Sequence, residues 1–414
     1  MTRILREAGG QNGSAGDRAS VRTVKPGWKI VKFGAVVRNT NLAERDPEVA
    51  GIDRIVGLDD LDPGNLHIRR WNNARKGTSF TRKFTPGQTL FGKRRAYQHK
   101  VAYAEFEGIC SSDILTFESR DKKALLPELL PFICQTDAFF VHALGTSAGS
   151  LSPRTNWGAL SDFEFALPPI EEQKRIAELL WAADETIQSY ETALEKTNQL
   201  LDVIRETVVC DGRFEQCKLG GILTSIVAGK SVSGASTPAR PDEYGVLKVS
   251  AVGPNGFDPI ENKRLIDQSE FLSQYRVRRN SLLITRCNTT DLVGRVCLTE
   301  NDDSNLMLCD KTLELVPDES KLSKLLLFEV LRSRGLRTQI RSRATGTGGA
   351  MKNISQDDIR SLVVPIPDGQ TVIAGRVLAV TDQIGSINQH LSLMRNVAKQ
   401  LSNELMSGRG ADHV

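Results

Sequence analysis

Three observations predict an α+β chain in which two globular segments each lead into a long helix. A proline–glutamine signature occurs twice, as LPPIEEQKRIAELLWAADETI from Leu167 and VPIPDGQTVIAGRVLAVTDQI from Val364, with Gln173 answering Gln370 at an offset of 197 residues (370 − 173). Each copy opens a long run of apolar residues at helical spacing. Each is also preceded by the same order of strand-like runs, a helix-like stretch and a Gly-rich loop, the mark of an internal repeat with pseudo-two-fold character. At 414 residues, 40% of them apolar, the chain exceeds one compact core, and two domains are the natural division.

The elements follow in order. Residues 1–20 are polar and Gly/Ser-rich and read as a disordered tail. The first domain, 21–168, contains strand-like VAYAEF (101–106) and DILTFE (113–118), then helix-like KKALLPELLPFICQTDAFFVHAL, which Pro127 and Pro131 interrupt, then the loop GTSAGS at Gly145 and apolar FEFAL. A helix covers 169–210. The second domain, 211–366, gives strand-like YGVLKVSAV, NSLLITR, LVGRVCL and KTLELV, helix-like SKLLLFEVLRSRGLRTQIRSRA, the loop GTGGA at Gly346 and strand-like IRSLVV. A second helix covers 367–408, and 409–414 form a short tail.

The two helices carry a narrow seam. In the first, Ile176, Leu180, Ala183, Ile187, Tyr190, Leu194, Thr197, Leu201, Ile204 and Val208 are spaced alternately by four and three. In the second, Ile373, Val377, Val380, Ile384, Ile387, Leu391, Met394, Ala398, Leu401 and Leu405 repeat that spacing. Such a seam is stable only against another helix, and the simplest partner is the other copy; the competing reading is two amphipathic helices packed on their own domains. At about 1.5 Å per residue each seam rises roughly 48 Å, enough to hold two domains apart. Prolines Pro168, Pro169, Pro365 and Pro367 fix where each domain hands over to its helix. Gly375 and Gly385 each cost about 1 kcal/mol relative to alanine, so the second helix depends more on packing.

Net charge is only +4, but its distribution is uneven. Residues 69–100 hold ten Lys/Arg and no Asp or Glu, interleaved with Trp71, Phe80, Phe84, Phe91 and Tyr97. Residues 330–356 hold Arg332, Arg334, Arg337, Arg341, Arg343 and Lys352, again without an acid. Clusters of one sign attract polyanions, although a solvated basic face accounts for either cluster alone.

Catalytic constellations are not legible. Gly229, Lys230 and Ser231 resemble the end of a phosphate-binding loop, yet the glycine required five positions before Gly229 is Thr224. The five histidines (His67, His99, His142, His390, His413) are scattered, and Asp318, Glu319 and Lys321 are too crowded to spread around a metal and read as a surface turn. The seven cysteines lack a C-x-x-C pair and read as reduced, mostly buried thiols. Without an apolar signal core or a run of about 18 apolar residues, the chain is expected to be soluble and cytoplasmic. Catalysis is expected from another chain.

The segment PPIEEQKRIAELLWAADETIQSYETALEKTNQLL resembles the conserved helical region of type I restriction-modification specificity subunits. NSLLITRCNTTDLVGRVCLT and LFGKRRAYQHKVAYAEFEGICSSDILTFE are similar to parts of their target-recognition domains. The likeness runs from about residue 21 to 407 in the family's order, although at the second signature Asp368 and Gly369 stand for Glu171 and Glu172, and Ile366 for Pro169. The resemblance implies a non-catalytic DNA reader. Its two target-recognition domains would each read half of a bipartite double-stranded site, and its two helices would pack as an antiparallel coiled coil that spaces them. Implied partners are two methyltransferase subunits, which use S-adenosylmethionine, and two translocase-nuclease subunits, which use ATP and Mg; no cofactor is implied for this chain and no membrane contact.

Within that reading Arg82, Lys83, Lys93, Arg94, Arg95 and Lys100 are candidates to neutralise phosphates, and Arg70, Tyr97 and Gln98 to touch base edges or stack. In the second domain the candidates are Arg286, Asn288 and Thr289, just after SLLIT, and Arg341, Arg343 and Lys352 beside the loop at Gly346, a loop that reads either as a phosphate clamp or as a helix cap. A coiled-coil scaffold for protein partners and an enzyme with unrecognised catalytic residues are the alternatives, separated from a DNA reader by gel shift and by turnover with DNA.

Overall fold

The computed structural model describes residues 24–74, 77–254, 256–303, 305–346 and 351–408. Both expected tails lie outside the described residues, as does most of the loop after Gly346. The chain divides into two compact units, one of Met1–Ser189 with Leu391–Val414 and the other of Tyr190–His390. Both long helices, Ile170–Cys210 and Gln370–Met406, cross this division, so each unit owns one end of each helix. Among the described residues no helix is long and apolar enough to cross a membrane.

In the first unit an antiparallel sheet runs in the order Val37–Asn39, Ile114–Ser119, Thr89–Gly92, Val101–Tyr103. A second sheet runs Asn72–Asn73, Arg54–Val56, Gly108–Cys110, Arg82–Phe84, with a parallel central pair. The run expected to be one strand at 101–106 stops at Tyr103, because the chain turns through Glu105-Phe106-Glu107 into the second sheet. Gly108 lies so close to the Phe84 ring and the Arg54 carbonyl that a Cβ would not fit. Between sheet and helices the rings of Phe33, Phe91, Phe117 and Phe139 are fully buried, with centroids 5.4 Å apart for Phe33–Phe117 and for Phe91–Phe139. Each such ring contributes about 1.5–3 kcal/mol of burial.

The helix-like stretch is helical only from Leu130, since residues 122–129 around Pro127 form turns, and it breaks again beyond Pro131. It forms Leu130–Gln135 and Asp137–Gly145, parted by Thr136, which is extended and accepts a hydrogen bond from the Phe139 amide on its hydroxyl. Pro131 sits in the first turn, where its missing N–H leaves no hydrogen bond unmade.

The second unit repeats this plan. Its antiparallel sheet runs Leu223–Ala228, Thr312–Pro317, Leu282–Thr285, Val296–Leu298, and its other sheet runs Asn262–Arg264, Gly245–Leu247, Leu306–Met307, again with one parallel pair. Ser333 parts Lys324–Arg332 from Arg334–Arg343 as Thr136 does in the first unit. The stretch read as a strand at 359–364 is instead the end of a helix, Gln356–Arg360, and the start of a strand, Val363–Ile366. A reciprocal Ser355–Asp358 capping box starts that helix.

Within each unit the two long helices pack on each other. In the first unit Ile176 and Leu180 share a core with Leu401, Leu405 and Met406. In the second, Leu201 packs with Val377 and Val380, flanked by Ile204 and Ile384, and the Tyr190 ring stacks on His390 at 5.7 Å. In both units the start of one helix meets the end of the other, so the pairing is antiparallel. Leu391 is buried and Ile187 and Leu194 are half-buried, whereas Ile373 turns to the globular core of its unit.

The repeated glutamine performs the same task twice. Gln173, 1% exposed, accepts from the Leu126 amide (2.9 Å) and donates to the carbonyls of Ala124 (2.8 Å) and Pro168 (2.9 Å). Gln370 accepts from the Ser323 amide (3.0 Å) and donates to the Lys321 carbonyl (2.7 Å), partners that stand at the same offset of 197. A second tie repeats as well. The Asp137 amide donates to Asn403 (3.2 Å) and the Arg334 amide to Glu206 (2.6 Å), so each split helix is capped by the long helix that ends in its unit. The second joint is the less complete. Glu172 holds the Trp28 indole at 2.8 Å, while its counterpart Gly369 is left-handed (φ 65°), and the second helix begins only at Gln370.

Candidate nucleic-acid interface

In the first unit, residues 93–100 connect Thr89–Gly92 to Val101–Tyr103 and carry Lys93, Arg94, Arg95, Tyr97, Gln98 and Lys100. The connection folds as a short 3-10 turn, Ala96–Gln98, flanked by Arg95 (φ 54°) and His99 (φ 53°), both left-handed. Non-glycine residues rarely adopt this conformation, and the surroundings must hold it. They do so from three sides: the Arg95 amide donates to the Pro153 carbonyl (2.8 Å), Thr155 donates to Lys93 (3.0 Å), and the His99 ring stacks on Phe140 at 3.9 Å. Tyr97 stands at the tip, 53% exposed. The loop after Gly145 is thereby packed against the turn, and it brings Arg154, which the sequence reading did not single out.

Arg94 donates to Ser152 (2.7 Å) and Asp113 (3.3 Å), and Arg154 donates to Asp113 (3.0 Å). Burial pushes the Asp113 carboxyl upward, but the hydrogen bonds from Arg154 and Arg94 bring it below its ordinary value. Burial and then the nearby Arg82 push the Lys93 ammonium down. One carboxylate thus faces several cations, and the excess charge is positive.

Other candidates of this unit are held by the protein's own acceptors. Arg82 donates to the carbonyls of Ile114 and Ser112 and to Asn41. Lys83 pairs with Glu107 at 2.8 Å, and Arg70 with Asp62 at 2.6 Å. Lys100 is 9% exposed and donates to the Leu58 carbonyl (2.8 Å), so it is a buried stay of the 58–62 turn rather than a charge presented to solvent. A stretch without acids in sequence is not without acids in space.

The second unit places its candidates on the equivalent connection, residues 286–295, between Leu282–Thr285 and Val296–Leu298. Arg286 and Thr289 are exposed and Asn288 is half-buried. Cys287–Asn288 pairs with Lys352–Asn353, and Asn353 bridges Thr345, so Arg286, Asn288, Thr289 and Lys352 come together. Gly346 (φ 140°) is a tight turn whose carbonyl accepts from Lys352 (2.9 Å); the helix before it ends at Arg343 with Ala344 as its cap, so Gly346 is not the helix cap. The amides from 347 to 350 that would clamp a phosphate lie outside the described residues. Arg343 closes its own helix end through the Gln339 carbonyl (3.1 Å), and Arg341 pairs with Asp291 (3.3 Å). Beside the connection opens a cleft of about 330 Å³ lined by Val249, Val252, Asn288, Thr289, Lys311 and Met351, among others.

The short motifs have structural roles. Gly229 is required because the Leu308 backbone passes too close for a side chain. Asp318 caps a turn through Ser320 (2.6 Å). Five cysteines are buried, Cys217 is half-buried and Cys210 is exposed, and all seven are free thiols.

Residues 62–199 match the family described as "Type I restriction modification DNA specificity domain". The chain is 28% identical over 191 residues to the type I restriction enzyme EcoEI specificity subunit of Escherichia coli, a match covering 45% of this chain and 31% of that protein. It is 24% identical over 344 residues to the EcoKI specificity subunit of Escherichia coli strain K12, covering 76% of this chain and 70% of that one. The chain therefore spans about a third of the EcoEI subunit's length. A solved S subunit of a type I restriction-modification system from M. genitalium shares the fold, with a TM-score of 0.55 and 14% identity over 92% of this chain and 96% of that one.

Proposed function

From the premise that this chain belongs to the type I restriction-modification specificity-subunit family, we propose that it selects the DNA sequence on which such a complex acts. Each globular domain reads one half of a bipartite double-stranded site, and the paired helices act as an antiparallel coiled-coil spacer. The chain itself carries no catalytic site. Two methyltransferase subunits supply adenine methylation with S-adenosylmethionine, two translocase-nuclease subunits join them with ATP and Mg, and the assembly works in the cytoplasm.

The observation that carries this reading is the repeated pairing of one strand connection with the loop ahead of the long helix. Residues 93–100 meet the loop after Gly145, and residues 286–295 meet the strand at Lys352–Asn353. The two connections join equivalent pairs of strands in the equivalent sheets of the two units and gather basic or amide side chains, the types that contact phosphates and base edges. Docking of protein subunits is supported by apolar side chains left exposed on the long helices, among them Leu179, Leu200, Val203, Leu378, Leu393 and Val397.

Co-expression with a cognate methyltransferase subunit, followed by mapping of methylated adenines across the host genome, tests the proposal. A single motif of two short blocks separated by an unspecified spacer is expected. Methylation without such a motif, or none that depends on this chain, overturns it.

A further inference from the structure

The second unit brings Arg295 to two arginines of the basic stretch, Arg337 and Arg341, from which it is distant in sequence. Arg295 closes the 286–295 connection, and Arg337 and Arg341 lie one turn apart on the helix Arg334–Arg343 packed against it. Arg337 donates from Nη2 to the Asp291 carbonyl (3.0 Å), and Arg341 approaches the Asp291 carboxylate at 3.3 Å. Gly294 (φ 66°) lets the connection lie flat on this helix, since a Cβ there would run into Ile340.

The cluster is short of negative charge. Nε of Arg295 and Nη1 of Arg337 are buried without a hydrogen-bond partner among the described residues. Burial, then the charges of Arg295 and Arg341, push the Arg337 guanidinium down to about 10. Glu329 cannot relieve it, being held by Arg205 at 2.5 Å and by Arg332 at 3.7 Å. The Asp291 carboxylate reaches only Arg341 among the described residues, Arg337 being held by the Asp291 backbone carbonyl, and the Asp291 side chain is 82% exposed. An exposed carboxylate held by one 3.3 Å contact is easily exchanged for a better anion, and a phosphodiester offers a guanidinium two oxygens at once.

We propose that Arg295, Arg337 and Arg341 form a seat for a backbone phosphate of duplex DNA beside the reading connection, and that the Asp291 carboxylate occupies this seat until the duplex displaces it. The proposal rests on the DNA-reading function above. Asp291 thereby weakens binding to every sequence alike, which leaves the ratio between sequences unchanged and shortens the stay on sites whose bases do not fit the connection.

The test uses the full chain and titrates random-sequence duplex from 50 to 200 mM salt, following fluorescence anisotropy for the wild type, Arg341→Gln, Arg337→Gln and Asp291→Asn. Losing one phosphate contact is expected to flatten the log–log salt slope by about 0.9 in each arginine variant. Asp291→Asn is expected to bind roughly three- to fivefold more tightly at low salt, the Coulomb effect of one like charge at contact distance in water. Far-UV circular dichroism reports folding; if Arg337→Gln unfolds, the exposed Arg341 and Asp291 variants decide alone. Unchanged slopes and an unchanged Asp291→Asn affinity, with the wild type binding duplex, overturn the seat and leave the DNA-reading function standing. A wild type that binds no duplex overturns both. Competition by ATP or inorganic phosphate as strong as that by a duplex of equal phosphate content reassigns the seat to a free nucleotide and overturns the backbone assignment.

Discussion

Replacing Gln173 with leucine keeps the volume of the side chain and removes three hydrogen bonds from a position that is 1% exposed. The Leu126 amide and the Ala124 and Pro168 carbonyls lose their partner, and water has little access to replace it. At about 1 kcal/mol for each buried group left unpaired, the first unit loses roughly 3 kcal/mol. Gln370 makes two such bonds from a more exposed position, so Gln370→Leu costs the second unit roughly 1 kcal/mol. The two effects can be read separately, because all four tryptophans, Trp28, Trp71, Trp157 and Trp181, belong to the first unit. With a urea dependence of about 2 kcal/mol per molar, Gln173→Leu is expected to lower the tryptophan-monitored midpoint by about 1.5 M. Gln370→Leu is expected to move far-UV circular dichroism more than fluorescence. Equal shifts in fluorescence for the two variants, or a Gln173→Leu midpoint within about 0.3 M of wild type, refute the idea that this glutamine latches helix to domain.

Three further outcomes follow from particular contacts. His67 is held between Asp184 (2.6 Å) and Glu105 (2.7 Å); the hydrogen bond to Asp184 raises it above its ordinary value against the opposing effect of burial. A raised histidine stabilises fully below its unfolded value of about 6.5 and loses that contribution as pH rises through its folded value. The wild type should therefore exceed His67→Gln in tryptophan-monitored stability by more at pH 6 than at pH 9, and a gap that widens with pH contradicts this. Gly375→Ala and Gly385→Ala place a methyl in open space on a helix, so each is expected to stabilise by about 1 kcal/mol in urea unfolding followed by circular dichroism. Glu329→Ala leaves the buried Arg205 with the half-exposed Asp202 at 2.6 Å, so it should destabilise the second unit by less than the about 3–5 kcal/mol of a wholly unpaired buried charge, with little change in the tryptophan signal.

The parts of the fold that were legible are those whose signal is local and repeated. The four-three spacing, from Ile176 to Val208 and from Ile373 to Leu405, lies wholly inside the two long helices, because a seam needs apolar residues at every turn. The strands were legible as existing but not in extent. At Ala104 and at Ser355 the chain changes direction for reasons of packing and capping that alternate hydrophobicity does not carry. Of the candidate residues, their grouping was legible where they share a connection between two strands, as with Tyr97 on one and Arg286 and Asn288 on the other. It was illegible where neutralisation is non-local: Lys83 meets Glu107, Arg94 meets Asp113 and Lys100 disappears under Leu58, and in each case the partner lies outside the basic stretch.

Comparison of the two copies separates scaffold from reader on physical grounds. The ties between helix and domain are kept at a constant offset even where the residue changes, since Asn403 and Glu206 both supply an oxygen to the start of a split helix. The two connections keep their place in the sheet but not their chemistry. One is a strained turn that presents Tyr97 among arginines; the other is a bridged strand that presents Asn288 and Thr289 beside Lys352. Side chains with different donor and acceptor sets favour different base pairs in the major groove, so on the proposed reading of a bipartite site its two halves are expected to differ in sequence. Transplanting one connection into the other domain should then fail to make them alike unless its supporting loop moves with it, because Arg95 and His99 keep their left-handed geometry only against Pro153 and Phe140.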